Sequence, residues 1–291
     1  CGGRAAGLRL LHEFSHTPIP PMHRFRALSP AAQGIGLALL SVLCFSMVDL
    51  LAKVLSTRVD TVQALWARYL GQTVLVTLLV LPRLRQTLQT QVPWLHFGRS
   101  CLQLGATACF FFSLPHVGLA SAVSVMQLCP VLITLGAAIF LGEHLGLRRT
   151  LGVGAALIGA LIILRPGSSV FSPYLLLTFC GALSYTSYNL ITRAVGPTEN
   201  VWTSLLLTGL VGTVVLTLVV PFRWQPPSPA EWMMMGLIGM FGMLGQLTLI
   251  AALMRAEAGQ IAPFTYLALF FATFWGFVAF GEVPDGPTIL G

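Results

Sequence analysis

Charge is what this chain has least of. Only 9% of its 291 residues are charged, and nine of them are acidic, against roughly 25% charged residues in an average soluble domain. So few hydrated side chains cannot clothe a water-soluble globule. Catalytic signatures are missing too. There is no P-loop, GxSxG or GxGxxG pattern, which argues against ATP hydrolysis and serine catalysis. His12, His16, His23, His96, His116 and His144 lie outside or at the ends of apolar runs, without HExxH spacing or a cysteine partner. No catalytic set, metal centre or cofactor is expected. Cysteine pairs in CxxC spacing are also absent; Cys44, Cys101, Cys109, Cys129 and Cys180 fall inside apolar runs and read as small buried hydrophobes. Residues 1–21 lack the continuous apolar core of a signal peptide. A chain beginning at Cys1 reads as processed or as a fragment, with the basic segment Met22–Arg26 as its natural start and residues 1–29 as an amino-terminal cytoplasmic segment.

What the chain does have is apolar length. Apolar residues make up 56% of it, gathered into runs long enough to cross the ~30 Å hydrocarbon core as helices of about 20 residues. Backbone groups find no partner in hydrocarbon, so only helices or closed barrels span it, and these runs lack the period-2 alternation of barrel strands. The expected class is all-α and polytopic, with spans at 33–54, 62–81, 93–113, 119–141, 148–165, 170–191, 201–220, 231–253 and 258–280. Prolines at or near the boundaries, such as Pro82, Pro93, Pro166, Pro173 and Pro229, agree with this division.

The segment Ala120–Pro166 sets the larger pattern. Its Phe140-Leu141-Gly142-Glu143 returns 139 residues later as Ala279-Phe280-Gly281-Glu282, and the same offset lays Leu151-Gly152 on Leu290-Gly291. Two five-helix units are therefore expected, 30–166 and 167–291, the second entering a tenth span that roughly fifteen further residues complete. An odd number of spans per unit inverts the second against the first, the plan of many secondary transporters, whose site lies between repeats near the midplane. The net charge of +7 is scattered over the connections, which reads as topology and not as a nucleic-acid surface. With the amino terminus in the cytoplasm, Arg4, Arg9, Arg24, Arg26, Arg83, Arg85, Arg99, Arg148, Arg149, Arg193 and Arg255 fall on that side, against Lys53, Arg58, Arg165 and Arg223 opposite.

Few residues within the spans carry chemistry. Asp49 and Lys53 stand four apart on the first span and can neutralise one another; they either snorkel to the surface or face a substrate or gate. An offset of 140 lays Asn189 on Asp49 and Arg193 on Lys53. Arg68, between Trp66 and Tyr69, is either an interfacial belt residue or a holder of an anionic group. Glu143 and Glu282 leave their spans at equivalent positions, as caps, as partners of a loop such as Arg148-Arg149, or as a pair across the repeat interface. Deeper lie Gln127, Ser184, Tyr185, Tyr188, Asn189, Gln246 and Tyr266, which either bond neighbouring helices or line a cavity with Phe110, Phe111, Phe112 and Trp275. Of these, Gln127, Tyr185, Tyr188, Asn189, Gln246, Tyr266 and Trp275 form the expected substrate site, with Asp49, Lys53, Arg68, Glu143 and Glu282 as gating or charge-pairing residues. Pro130 and Pro263 loosen their helices, and the glycines of Gly239-x-x-Gly242-x-x-Gly245 and Gly136-Ala137-Ala138 allow close packing.

In order, Arg68-Tyr69, Cys109 to Pro115 with Gly118-Leu119-Ala120, Pro130 leading to Gly142-Glu143, Gly152, Gly154, Gly159 and Arg165-Pro166-Gly167, then Ala258-Gly259 and Phe280-Gly281-Glu282 make a combination that resembles the EamA-type transporters of the drug/metabolite transporter superfamily over about residues 30–291. The family's proline in the ninth span is displaced here to Pro263. The resemblance implies a ten-helix carrier of the bacterial inner membrane, monomeric or homodimeric. It would move small metabolites, amino-acid-like solutes or drugs by alternating access, often outward, with a proton or an exchanged solute as coupling partner. The alternatives are an integral membrane enzyme acting on lipid-linked substrates, which needs carboxylates or histidines clustered at one face, and a passive channel.

Overall fold

The computed structural model describes residues 29–87, 90, 93–141, 151, 154–155, 158–159, 172–195, 201–253, 255 and 264–282. All regular structure among them is helical. The main helices are α1 (Pro30–Ser56), α2 (Thr61–Val80), α3 (Pro93–Ser113), α4 (Leu119–Met126), α5 (Cys129–Leu141), α6 (Pro173–Val195), α7 (Val201–Val219), α8 (Pro229–Leu253) and α9 (Leu267–Phe280). Among the described residues, four stretches are long and apolar enough to cross a membrane: Ala31–Ser56, Thr61–Arg83, Trp202–Arg223 and Pro229–Leu249. Helices α3 and α6 have 21 and 23 residues but carry more polar groups. Most of the expected fifth span, the start of the ninth, and everything after Glu282 lie outside the described residues.

Helix ends follow local chemistry. Pro30 opens α1 where its missing N–H does no harm, and the Ser29 hydroxyl accepts from Ala32 N at 3.3 Å. The Asp60 carboxylate caps α2 through Val62 N at 2.9 Å. A reciprocal capping box starts α8: Ser228 N donates to Glu231 Oε2 at 2.7 Å and Glu231 N to Ser228 Oγ at 3.4 Å. At the end of α9, Gly281 adopts φ +65° and its N–H returns to Phe277 O at 2.9 Å, a left-handed terminus that a side chain resists. It swings the Glu282 side chain back across the helix end.

The fourth span, expected as one helix over 119–141, is broken between α4 and α5. Pro130 has no N–H to offer the Met126 carbonyl. The chain tightens into three-residue turns there, with Leu128 N on Val125 O at 3.2 Å and Val131 N on Leu128 O at 3.0 Å.

The packing has a reciprocal character. Helix α1 packs on α8 as α6 packs on α3; α2 packs on α8 as α7 packs on α3; α1 packs on α9 as α6 packs on α4; and α2 and α7 pack on each other. Between α2 and α7 the Thr73 and Thr213 hydroxyls meet at 2.9 Å. At the α2–α8 crossing the backbones touch, and a Cβ added to Gly239 would come within 2.7 Å of the Gly71 Cα. Gly239→Ala is therefore expected to cost about 1–3 kcal/mol through overpacking, read as a lower thermal midpoint in detergent. Gly236→Ala, whose Cβ meets open space, should leave the midpoint unchanged or raise it.

Outward surfaces are as apolar as the interior. Leu78, Leu218, Ile139 and Phe277 are exposed, as a lipid-facing surface requires. Cys101 and Cys180, expected to be buried, lie on this surface, while Cys44 and Cys129 are in the core. In lipid a thiol gains little from burial, so sequence hydrophobicity does not distinguish the two faces. Trp66, Trp224 and Trp232 meet in a chain at one end, the first pair edge to face and the second tilted, with centroids 5.9 and 6.0 Å apart, the position of an interfacial aromatic belt.

Candidate functional site

The helices surround a cavity of about 460 Å³. Helix α1 contributes Ser41, Val42, Phe45 and Asp49; α2 contributes Arg68; α3 contributes Gln103, Thr107 and Phe110. The break between α4 and α5 adds Gln127, Cys129 and Pro130, α6 adds Tyr185 and Asn189, and α8 adds Gln246 and Leu249. Thr265 and Ala268 complete the wall at the start of α9. The broken fourth span gains a cross-tie here, as Gln127 Nε2 donates to Thr265 O at 3.0 Å. Ser41 Oγ donates to Gly245 O at 2.9 Å and holds α1 on α8.

This wall carries one acid and one base. Among the described residues, neither Asp49 nor Arg68 has an ion-pair or hydrogen-bond partner; Arg68 lies 5.5 Å from the centroid of the Phe111 ring. Its place on the wall differs from the belt reading. The helix is rotated so that Tyr69, at 3% exposure, is buried against α3, its hydroxyl on Thr107 Oγ1 at 3.2 Å, and Trp66 takes the interface, its indole N–H on Thr217 Oγ1 at 3.0 Å.

The pairing of Asp49 with Lys53 does not form. Lys53 Nζ instead forms an ion pair with Glu282 Oε1, donates to Val117 O at 2.9 Å and lies 4.9 Å from the Phe280 ring centroid. The second carboxylate oxygen of Glu282 accepts from Leu119 N at 2.9 Å, capping the amino terminus of α4. A carboxylate, a carbonyl and a ring face all converge on Lys53 where α1, α4 and α9 meet, and a short aspartate one turn away cannot compete. Above the cavity at this end, Val48, Ala52, Leu55, Leu65, Phe111, Leu114 and Leu119 form a tight apolar plug. The residues of the cavity wall farthest from it, Leu249 and Asn189, sit toward the other ends of α8 and α6. One face of the cavity is thus closed by an ion pair and an apolar plug, and the cavity extends toward the opposite face.

The remaining expected site residues separate. Gln127, Tyr185, Asn189 and Gln246 line the main cavity; Tyr188 lines a smaller pocket beside it, its ring stacked on Tyr185 at 5.9 Å. Tyr266 is 52% exposed and lines neither, because the turn before α9 points it outward. Trp275 packs against the apolar plug, with its indole N–H unpartnered among the described residues. Of the phenylalanines, Phe110 lines the cavity, Phe111 is fully buried and Phe112 faces outward. Glu143 and the side chain of Arg193 lie outside what the structure describes. Sequence reasoning missed Ser41, Phe45, Gln103, Thr107 and Thr265. Gln103 bore the same signal as Gln127, an amide inside an apolar run. Arg99, counted on the cytoplasmic side at the start of the third span, is 4% exposed, with its guanidinium 3.1 Å from His96 Nδ1 and 5.5 Å from the Tyr188 ring centroid.

The EamA-like transporter family matches residues 32–165 and again 172–291. Among similar proteins, an S-adenosylmethionine uptake transporter of Rickettsia felis is 26% identical over 91% of this chain and 90% of its own. A pseudopaline exporter of Pseudomonas aeruginosa is 27% identical over 89% of this chain and 91% of its own. A riboflavin transporter of Rhizobium johnstonii is 30% identical over 70% of this chain and 68% of its own. A solved crystal structure with 22% identity superposes with a TM-score of 0.62 over 88% of this chain and 92% of that one, a likeness of fold.

Proposed function

Because the chain belongs to the EamA-like transporter family, and is thereby an integral membrane transporter of small molecules and not an enzyme, we propose that it works by alternating access between two inverted five-helix repeats, 30–166 and 167–291, of a ten-span carrier. The observation that carries the reading is a cavity containing Asp49 and Arg68, shut at one end by the Lys53–Glu282 ion pair. Charged groups are expensive at membrane depth unless they serve a pathway or a partner, and here the two cavity charges act on one another across the cavity with no direct ion pair or hydrogen bond among the described residues. The reciprocal packing of α1 on α8 and α6 on α3 supports two units related by exchange.

The two faces open in turn. Lys53 and Glu282 close the external face; in the sequence their counterparts in the other copy are Arg193 and Glu143. The amino terminus is cytoplasmic, the membrane is the bacterial inner membrane, and the substrates are small metabolites, amino-acid-like solutes or drugs, moved outward. A proton or an exchanged solute supplies the driving force. The relatives named for S-adenosylmethionine uptake and for pseudopaline export run in opposite directions, and outward movement here follows from the gradient that drives it.

Proteoliposomes containing the protein and loaded with solute should show saturable counterflow, driven by a solute or proton gradient and indifferent to ATP. Flux that requires ATP without any gradient would sink the proposal, as would flux that neither saturates nor shows counterflow.

A further inference from the structure

Beside the main cavity lies a pocket of about 50 Å³, with room for a few waters or one small ion and for no metabolite. Arg68 borders both spaces, whereas Asp49 borders only the main cavity. On its pocket side the guanidinium therefore meets no carboxylate among the described residues. A second guanidinium adds to the field: that of Arg99 lies 5.5 Å from the centroid of the Tyr188 ring, and Tyr188 forms part of the pocket wall. Helix α7 contributes Ser204 and Thr208, four apart and hence on one side of the helix. Thr107, Thr178 and Thr192 each return their hydroxyl to the carbonyl four residues earlier, the usual outlet for a threonine inside a helix. Thr208 does not. It is 6% exposed, and its hydroxyl has no hydrogen-bond partner among the described residues. Native interiors rarely leave a buried hydroxyl unpaired, and one that lines a positively charged pocket calls for an acceptor that the protein itself does not supply. The Gln103 Oε1 on the same wall is unpartnered as well, and because the two ends of an amide exchange by a flip, this side chain can present its N–H₂ to the pocket.

We infer that this pocket binds a small monovalent inorganic anion of chloride size, held by the Arg68 guanidinium and the Thr208 hydroxyl. Charge sets the valence. One cation on the wall compensates one negative charge, and a divalent oxyanion would carry a second to membrane depth, where an unmatched charge is costly. Water alone would satisfy the hydroxyl but would leave the guanidinium charge as it is. The anion and Asp49 compete for the same guanidinium, one from the pocket and the other across the main cavity. With the anion bound, Arg68 no longer balances Asp49 and the main cavity has a net negative wall; with the anion gone, the two wall charges cancel. On the transporter reading above, on which this consequence alone rests, the anion thereby tunes the charge of the solute that the cavity accepts.

The test is equilibrium binding of radiolabelled chloride to the purified protein in detergent, with gluconate holding the ionic strength constant. Binding should saturate at a single ion per chain and be displaced by bromide but not by gluconate or sulfate. Thr208→Val should weaken it about five- to tenfold, the loss of one hydrogen bond, while Thr208→Ser keeps the affinity and Arg68→Gln abolishes binding. Asp49→Asn should tighten it about fivefold, because the competing carboxylate is gone and coupling between sites is reciprocal. Binding that does not saturate, or that sulfate displaces as well as bromide does, overturns the inference. So does an affinity that Thr208→Val leaves unchanged, which marks water on the hydroxyl. If Thr208→Ser binds as poorly as Thr208→Val, packing and not the donor is at fault and the inference falls. It falls also if Asp49→Asn binds chloride no more tightly than the parent, which separates the pocket from the cavity charge. None of these results depends on flux, so the anion site can fail while counterflow persists, and the transporter reading can fail with the site intact.

Discussion

Replacing Glu282 with glutamine is expected to open the face that Lys53 now closes. The carboxylate joins three helices, through Lys53 of α1 and Leu119 N of α4, and Lys53 itself is 4% exposed. Breaking a buried pair by removing one partner costs about 3–5 kcal/mol. Because the Glu282 side chain is 34% exposed, solvent weakens the pair and the cost falls to about 1–3 kcal/mol. That is enough to shift a two-state equilibrium by roughly five- to 150-fold. Ala52, fully buried in the plug below the pair, reports on it: in a protein without its native cysteines, Ala52→Cys should resist a membrane-impermeant maleimide applied at that face. Glu282→Gln should speed its labelling about tenfold or more. Replacing both Lys53 and Glu282 with methionine should keep the face shut, since apolar packing substitutes for a buried pair without leaving a charge behind. Unchanged labelling in Glu282→Gln would show that the plug, and not the ion pair, closes the face.

Asp49→Asn and Arg68→Gln should divide the solutes between them. Both side chains face the main cavity, coupled to one another through space but with no direct ion pair or hydrogen bond among the described residues, so each substitution removes a contact to solute and little folding energy. A charge-assisted hydrogen bond contributes about 1.5–3 kcal/mol, equivalent to roughly ten- to 150-fold in affinity. Arg68→Gln should therefore weaken the exchange of carboxylate-bearing solutes by that factor and spare amines, and Asp49→Asn should do the reverse. Thermal midpoints should move by no more than a few degrees. If both variants lose all solutes equally and melt much lower, the two charges stabilise each other structurally and do not read the solute.

The polar residues at membrane depth show how far the sequence could be read. Gln127, Tyr185, Asn189 and Gln246 are conspicuous in apolar runs, and the folded chain gathers all four around one cavity. Tyr266 and Trp275 were equally conspicuous but line neither space, one turned outward and the other packed in the plug. The difference is helix rotation. A soluble helix advertises its buried face by an apolar stripe, but a helix in lipid is apolar on every side, and its interfaces are set by close packing. Gly239 against Gly71 is such a contact, visible from one side as a glycine-rich stretch and meaningful only once the other side is known. Arg68 was ambiguous for the same reason: position along α2 suggested the interface, and rotation placed it on the cavity wall.

By itself, then, the sequence determined that the chain is helical and membrane-embedded, because uncharged apolar runs of sufficient length have no other stable state in lipid. It also determined where the fourth span gives way, because a proline at position 130 withholds one N–H from the helix. Only the tertiary structure decided that Lys53 meets a carboxylate 229 residues away and not one a single turn distant, and that Asp49 is thereby left for the cavity. Spacing along one helix limits which groups can meet. Which of them do meet depends on what the other helices bring within reach.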